Sequence, residues 1–106
     1  MAKYLWKVHY TLEGGRGVRK EGAASRVAFI KQMAAGVGGT VESFYFAFGD
    51  VDAYVIADLP DDTTAAAIAM AVTTAGGASL ETVKLLTAEQ VDQAIGVDVG
   101  YRAPGA

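Results

Sequence analysis

His9 is the side chain of this sequence best suited to acid–base chemistry, and it is the only histidine among the 106 residues. Histidine is the side-chain type that exchanges its proton most readily near neutral pH. His9 also supplies the only axial ligand that a haem-dependent oxygenase could use here. A lone histidine in a strand pattern more often packs or forms a hydrogen bond, so His9 is a catalytic candidate with a structural alternative.

Several aspartates lie close together in the middle of the chain, namely Asp50, Asp52, Asp58 and Asp61. Their spacing matches no loop that supplies the six to eight oxygen ligands of calcium. We interpret Asp50 as a turn residue and Asp52 as a capping or pairing residue at the start of a strand. The absence of cysteine excludes thiol catalysis, zinc fingers and iron–sulfur clusters. We therefore expect no metal and no cofactor.

Positive charge concentrates beside a glycine-rich stretch, at Arg16, Arg19, Lys20 and Arg26. The lysine and hydroxyl of a phosphate-binding loop are missing from this stretch. Two interpretations stay open: capture of a small anion or carboxylate, or a solvated helix face paired with Glu13 and Glu21. The net charge of −3 and the isoelectric point near 4.9 argue against a nucleic-acid partner.

Large aromatic side chains are frequent, namely Tyr4, Trp6, Tyr10, Phe44, Tyr45, Phe46, Phe48 and Tyr54. Such residues either fill a core and an interface or line an apolar pocket with their polar tips turned inward. For a pocket between a sheet and its helices, the predicted walls are Tyr10, Tyr45 and Tyr54. His9 and Arg26 would supply the polar contacts. The ligand-binding candidates are thus the three tyrosines and Arg26.

The composition indicates one soluble domain over residues 1–106. Hydrophobic residues make up 52% of the chain and charged residues 20%, but no apolar run approaches the roughly 20 residues that span a membrane. The start, MAKYLWK, enters a strand pattern at once and leaves no room for a secretory signal. We expect a cytoplasmic protein without a membrane partner.

The first half of the chain predicts a strand, a helix and a hairpin. Lys3 to Thr11 alternates with a period of two, which is typical of a strand. The four glycines in Leu12–Gly22 favour a loop with at most one helical turn. From Ala23 to about Gly36 the apolar residues recur every three or four positions, as in a helix. Val41–Phe48 and Val51–Leu59, joined by Gly49-Asp50, then predict a β-hairpin.

The second half repeats the pattern of a helix followed by a strand. Pro60 and the following aspartates predict the start of an alanine-rich helix that ends near Gly76. Ser79–Leu86 predicts a short strand. Thr87 and Gln90 have the spacing of a capping box, which starts a last helix running to Ile95. The remaining residues, 97–106, are expected to be an extended tail.

This order of elements predicts a ferredoxin-like α+β sandwich. Two main helices would cover one face of a four-stranded antiparallel sheet, with a short C-terminal helix in addition. Phe44, Phe46 and Phe48 are predicted on one face of the second strand, and Val41, Tyr45 and Ala47 on the other. Neither face looks polar, so the uncovered face should meet a second copy of the chain. A homo-oligomer follows, and a dimer with facing sheets is its simplest form.

The segment FGDVDAYVIADLPDD, followed by an alanine-rich helix and the strand SLETVKLLTAEQV, resembles the GYD-domain family. The resemblance extends from Tyr4 to Ile95, with Val51 at the tyrosine position of the signature in Gly49–Asp52. The pattern YT-x-EG-x-x-G in Tyr10–Gly17 and the tail YRAPG are also similar. The resemblance implies a ferredoxin-like fold related to dimeric α/β barrels, and it assigns no catalytic residue.

Three functions from different classes remain open at the level of sequence. The first is an oligomer that binds a small anionic or apolar molecule between sheet and helices, with or without catalysis. The second is a structural or regulatory assembly module whose tail, including Tyr101 and Arg102, holds a neighbouring copy. The third is an oxygenase of the dimeric-barrel type that depends on His9.

Overall fold

The computed structural model describes all 106 residues as one four-stranded sheet with four helices. In chain order the elements are β1 (Ala2–Tyr10), α1 (Leu12–Glu21), α2 (Ala23–Gly36), β2 (Thr40–Phe46), β3 (Ala53–Leu59), α3 (Asp62–Ala75), β4 (Ala78–Leu85) and α4 (Ala88–Ile95). The strands are antiparallel in the order β2-β3-β1-β4. This topology confirms the predicted ferredoxin-like α+β fold. None of the helices combines the length and the apolar character that crossing a membrane requires.

The core lies on one face of the sheet and is built on alternate residues of β1. Tyr4, Trp6 and Val8 are buried there, as the period-two pattern predicted. Val55 and Leu59 of β3 complete the floor beside them, because β3 pairs with β1 through the centre of the sheet. Side chains of α2 and α3 pack onto this floor. The two helices therefore cover one face only.

The expected loop at Leu12–Gly22 is a helix, α1, so that prediction was wrong. Thr11 caps the helix by accepting a hydrogen bond from the Gly14 amide at 3.1 Å. The acidic Glu13 in the first turn and the basic Arg19 and Lys20 in the last turn complement the helix dipole. These end effects offset the low helix propensity of glycine.

One of the glycines in α1 is there for close approach rather than flexibility. A Cβ atom on Gly14 would lie 1.7 Å from the carbonyl oxygen of Gly77, which joins α3 to β4. The Thr11 amide also donates to that oxygen at 3.0 Å. The start of α1 is thus held directly against the β4 side of the domain.

The central hairpin has a longer connection than the sequence predicted. β2 ends at Phe46 rather than Phe48, and β3 begins at Ala53 rather than Val51. Beyond these ends only single contacts remain: the Ala47 amide donates to the Asp52 carbonyl at 2.9 Å, and the Asp52 amide donates to the Val8 carbonyl of β1 at 2.8 Å. Residues 47–52 therefore pass across the end of β1, with Gly49 at a φ of 95°.

A register shift between Val41 and Ser43 changes which residues of β2 share a face. Val41 packs against the core on the same side as Phe44, so the prediction that it faces away with Tyr45 was wrong. A bulge adds one residue to one strand and reverses the alternation beyond it. The remaining pair behaves as predicted: Phe44 and Phe46 lie together, with ring centroids 5.2 Å apart.

The predicted caps of the last two helices are confirmed. The Asp61 side chain accepts from the Thr64 amide at 2.8 Å and begins α3. Thr87 and Gln90 form the predicted capping box of α4. Asp62 in the first turn of α3 accepts from the Tyr4 hydroxyl and from Lys84 of β4. Through these two hydrogen bonds the Asp62 carboxylate connects α3 to β1 and to β4.

The C-terminal segment extends away from the rest of the domain. Helix α4 buries none of its residues, and residues 97–106 are exposed throughout, in line with the expected extended tail. The radius of gyration is 17.0 Å and the longest dimension is 58 Å. A compact chain of this length would have a radius of gyration near 13 Å, by the usual scaling.

The uncovered face of the sheet is apolar in the middle and charged toward its ends. Leu5 forms a row with Ile56 on one neighbouring strand and Val83 on the other. Lys3, one step along β1, donates to Glu42 at 2.8 Å and to Asp58 at 3.2 Å. These hydrogen bonds, first the one to Glu42, raise the pKa of Lys3.

Candidate ligand-binding cleft

A cleft opens between the covered face of the sheet and helices α1, α2 and α3. Its inner part is a cavity of about 30 Å³, and its outer part is a groove of about 730 Å³. The strand residues around the inner cavity are Trp6, Val8, Tyr10, Phe44, Val55 and Leu80. The helical residues around it are Arg26, Ile30, Met33, Ile68 and Val72. The inner cavity and the outer groove share Tyr10, Arg26 and Val72, so they form one continuous cleft.

Trp6 lines the inner cavity and carries a polar group without a partner. The residue is only 2% exposed, and its indole Nε1–H has no hydrogen-bond partner in the protein. It is the only buried side-chain nitrogen or oxygen in this state. An unpaired buried donor costs roughly 1–3 kcal/mol. An acceptor that reached this N–H would remove that cost.

Arg26 is the one charged residue that lines the inner cavity, and it lines the outer groove as well. Its side chain is 29% exposed and lies 3.9 Å from a Glu21 oxygen. Its guanidinium carbon is also 5.2 Å from the centre of the Phe29 ring, a distance at which a cation is attracted to an aromatic face. The guanidinium thus lies at the junction of cavity and groove.

Tyr10 is the last residue of β1 and lines both parts of the cleft. Its amide donates to the Asp52 carboxylate at 2.7 Å, which fixes the backbone at this end of the strand. Burial raises the pKa of the Tyr10 hydroxyl, and the nearby Arg26 charge opposes that shift. The hydroxyl consequently stays protonated and can donate a hydrogen bond into the cleft near neutral pH.

Small residues keep the mouth of the groove open. Gly14 and Gly17 of α1 and Gly77 before β4 line it, facing Ala71 and Ala75 of α3. The glycine-rich stretch Leu12–Gly22, which was expected to be a loop, therefore contributes one wall of the groove. Because the glycines of α1 and the alanines of α3 have small side chains or none, the space between the two helices is not filled.

The structure divides the predicted pocket residues between the two faces of the sheet. Tyr10 and Arg26 line the cleft. Tyr45 and Tyr54 are directly opposite each other on β2 and β3, and they are 72% and 40% exposed. They belong to the uncovered face because residues two apart on a strand share a face, and Tyr54 alternates with the buried Val55. The pocket wall of three tyrosines predicted from sequence is therefore not formed.

His9 lies apart from the cleft. It precedes Tyr10 on β1 and so points to the uncovered face, where its Nδ1 donates to the Asp50 carbonyl oxygen at 3.0 Å. A carbonyl only accepts, so the proton of this bond is on Nδ1. This is the hydrogen-bonding role that the sequence left open beside catalysis. No acid, base or nucleophile of the cleft is close enough to form a hydrogen bond with it.

The basic residues near the cleft are largely free of acidic partners. Arg26 pairs with Glu21, whereas Arg16, Arg19 and Lys20 form no ion pair. Glu13 pairs with none of them, so the predicted network on a solvated helix face reduces to one contact of 3.9 Å. Lys20 lines the groove near its mouth. The charged residues that line the cleft are thus Lys20, Glu21 and Arg26, whereas Arg16 and Arg19 lie outside its lining.

The central aspartates each have a separate structural contact. Asp52 binds the Tyr10 amide, Asp58 pairs with Lys3, and Asp61 caps α3. The hydrogen bonds from Thr64, the backbone bond first, lower the pKa of Asp61. Nowhere do three or more histidine, aspartate or glutamate side chains come together in a way that could hold a metal ion.

The comparison with known families rests on residues 4–95, which match the model of the GYD domain. The chain belongs to the GYD-domain family. No curated protein and no solved structure matches the chain. In this GYD domain the segment Gly49–Asp52 has a structural role, since the Asp50 carbonyl and the Asp52 carboxylate hold His9 and Tyr10 at the end of β1. The signature segment thereby sets the position of Tyr10 in the cleft.

Trp6 is the site residue that sequence reasoning missed. The strand pattern correctly placed it on a face with Tyr4 and Val8, which suggested a core residue. The unpaired indole N–H could not be predicted, because it depends on which acceptors the packed helices bring near. One signal was available: a single tryptophan within a strand whose partners in the core are alanine and valine leaves space around a large ring.

Proposed function

We propose that this GYD domain binds a small, mainly apolar molecule in the cleft and that the molecule presents a hydrogen-bond acceptor to Trp6. The observation that carries this proposal is the buried indole N–H of Trp6, which has no protein partner although Trp6 lines the inner cavity. Native proteins pair nearly all such groups. A bound acceptor accounts for the exception.

The size and lining of the cleft support a ligand larger than water. The groove volume of about 730 Å³ lies within the range of roughly 300–1,000 Å³ typical of ligand sites. A water molecule at Trp6 would need two to four polar partners. The inner cavity offers few, because all of its lining residues except Arg26 are hydrophobic or aromatic. An acceptor attached to an apolar body fits this environment better.

A neutral apolar dye tests the proposal. N-phenyl-1-naphthylamine fluoresces when it leaves water, so titration with the protein should give a saturable increase with one site per chain. Ala71→Phe places a large ring in the groove from α3, where Ala71 is an exposed lining residue. We expect this variant to weaken dye binding about tenfold or more, since most of the apolar contact area is replaced.

Ala67→Phe is the matched control, because Ala67 is exposed on α3 but does not line the groove. It should bind the dye like the unmodified protein. Non-saturable binding, or equal loss in both variants at unchanged circular dichroism, would contradict the proposal. An oxygenase that uses His9 as a haem ligand gains no support from this cleft, since His9 lies on the opposite face of the sheet.

We further propose that the domain associates with a second copy of itself. The row formed by Leu5, Ile56 and Val83 gives the uncovered face an apolar centre, and Tyr45 and Tyr54 extend it toward β2. Four strands of about seven residues present a face on the order of 400 Å². Stable interfaces bury about 800 Å² per partner. The face alone is therefore small for a dimer.

The C-terminal segment supplies the additional apolar area. Its side chains are at least 43% exposed at Leu86, Val91, Ile95, Val97, Val99 and Tyr101. Exposed apolar side chains on a segment that extends away from the domain are expected to pack against another surface. This segment therefore adds exposed apolar side chains to those of the sheet face. These exposed apolar side chains favour assembly as the second candidate function. Assembly and ligand binding are compatible in one protein.

Multi-angle light scattering at micromolar concentration tests the association. The unmodified chain should elute as a dimer or larger oligomer. Ile56→Asp in the middle of the face, and truncation before Thr87, should each shift it toward the monomer. Ala66→Asp on the exposed side of α3 is the charge-matched control and should have no effect. A monodisperse monomer for the unmodified protein would overturn the proposal.

A further inference from the structure

The charge around the cleft is concentrated at a single point inside it. Arg26 is the one charged residue of the inner cavity. The groove adds Lys20 and Glu21, which cancel each other in charge. A ligand within the cleft therefore experiences a net charge close to +1, and that charge is next to the apolar cavity where solvent screens it least.

The present contacts of Arg26 leave most of its donors unused. Glu21 approaches one guanidinium nitrogen at 3.9 Å, which is beyond hydrogen-bond distance. The Phe29 ring contacts the guanidinium through its face and accepts no directed bond. A guanidinium carries five N–H donors in a planar fork that matches a carboxylate. The Tyr10 hydroxyl also lies within reach of the guanidinium, and most of the five donors remain unused.

We propose that the ligand is a singly charged apolar carboxylic acid, whose carboxylate lies at the junction of cavity and groove between Arg26 and the Trp6 indole N–H. The proposal rests on the ligand binding proposed above and deepens it by naming the ligand class. One carboxylate oxygen accepts from Arg26, and the acceptor that Trp6 lacks is supplied by the same group. The apolar body then occupies the groove beside Ile30, Met33 and Val72.

The number of charges distinguishes this class from phosphate esters. A phosphate monoester carries between one and two negative charges near pH 7 and three acceptor oxygens. It would need a second cation in the cavity, and the cavity has only Arg26. A neutral alcohol would satisfy Trp6 but offers no negative charge to the guanidinium fork of Arg26. A monocarboxylic acid matches both the donor count and the charge.

Competition between two ligands of equal chain length tests the inference. Octanoate and 1-octanol share the apolar chain and differ in the charged head. Both should displace N-phenyl-1-naphthylamine from the unmodified protein, octanoate with about tenfold or greater affinity, as expected for hydrogen bonds to a charged group. Octyl phosphate should compete less well than octanoate.

Arg26→Gln should remove the preference for octanoate while leaving 1-octanol binding within about twofold, since glutamine keeps the apolar part of the side chain. Arg26→Lys should restore part of the preference because the charge returns without the fork. Arg16→Gln is the matched control. It removes an exposed arginine of α1 that lines neither part of the cleft, and the preference should persist.

The outcomes separate the two proposals. Equal displacement by octanoate and 1-octanol overturns the carboxylate inference and leaves apolar ligand binding standing. Failure of both to displace the dye overturns ligand binding itself. Equal loss of the octanoate preference in Arg16→Gln and Arg26→Gln would show that general surface charge, and not Arg26, selects the acid.

Discussion

Alternate residues of β1 face two environments that are incomplete in opposite ways. On the covered face Trp6 is surrounded by apolar side chains, and what is missing is a hydrogen-bond acceptor for its N–H. On the uncovered face Lys3 has two acidic partners, and what is missing is apolar cover for Leu5 and its row. The first deficit is the basis of the proposed ligand binding, and the second is the basis of the proposed association.

The largest expected effect comes from comparing neighbours on β1 that point to the two faces. Trp6→Ala should lower the free energy of unfolding by about 3–5 kcal/mol, since it removes the largest fully buried side chain. Leu5→Ala should cost less than about 1.5 kcal/mol in the isolated chain, because Leu5 has no second layer above it. Urea denaturation monitored by circular dichroism measures both.

The Leu5→Ala result also sharpens the proposal of association. If a second copy covers Leu5, the cost should rise with protein concentration because the variant then loses interface area as well. A loss as large as that of Trp6→Ala at high dilution would contradict the division of the sheet into a packed and an open face.

The next largest effect is expected at the close contact between Gly14 of α1 and Gly77. Gly14→Ala places a methyl group against the Gly77 carbonyl and should cost about 1–3 kcal/mol, as overpacking usually does. Gly15→Ala is the control in the same helix: nothing lies within 4 Å of its Cβ position, so we expect a gain of about 0.5–1 kcal/mol. Thermal unfolding compares the two. Equal changes in stability for Gly14→Ala and Gly15→Ala would show that α1 does not pack closely against Gly77.

An intermediate effect with a defined pH dependence is expected at the other end of the covered face. The hydrogen bonds from Tyr4 and then Lys84 lower the pKa of Asp62 below its ordinary value of 3.8. The same contact raises the pKa of Tyr4 to about 12. Because the folded state then binds fewer protons at Asp62, its contribution is complete above 3.8 and is lost as pH falls through the lowered pKa.

Asp62→Asn should thus lower the melting temperature at pH 7, and the difference from the unmodified protein should be smaller at a pH well below 3.8. Asp92→Asn on the exposed α4 is the control and should show no such trend. A difference for Asp62→Asn that is the same at both pH values would mean that the carboxylate charge is not what stabilises this contact.

The smallest effect is expected for His9→Ala. It removes one hydrogen bond to the Asp50 carbonyl and should cost about 0.5–1.5 kcal/mol. Octanoate affinity should stay within about twofold, because His9 is on the face opposite the cleft. Loss of octanoate binding comparable to that of Arg26→Gln would instead place His9 in the ligand site.

Local pattern predicted most of the fold, because burial on one face imposes a period of two on β1 and a period near 3.6 on α2. The prediction of a loop at α1 was wrong because the glycines there do not indicate flexibility. Gly14 is required by a contact with Gly77, which is 63 residues away in the chain and has no local signal. Local pattern failed at Val41 for a related reason, since a bulge changes the face of a residue without changing its type.

The cleft was predicted less completely than the fold. Tyr10 and Arg26 were identified from chemistry alone and do lie together. Tyr45 and Tyr54 were grouped with them although strand alternation assigns them to the other face. The role of Trp6 depends on an acceptor that the core does not provide, and such an absence appears only after the chain is packed.

The indole resonance of Trp6 tests the central claim most directly, because this chain has a single tryptophan and its spectrum shows a single indole N–H. Its proton–nitrogen correlation should shift progressively on titration with octanoate, the proton moving downfield as a hydrogen bond to the carboxylate forms. The same titration of Arg26→Gln should need about tenfold more octanoate to reach the same shift. An indole signal that stays fixed in the unmodified protein, while octanoate displaces the dye, would contradict the assignment of Trp6 as the donor.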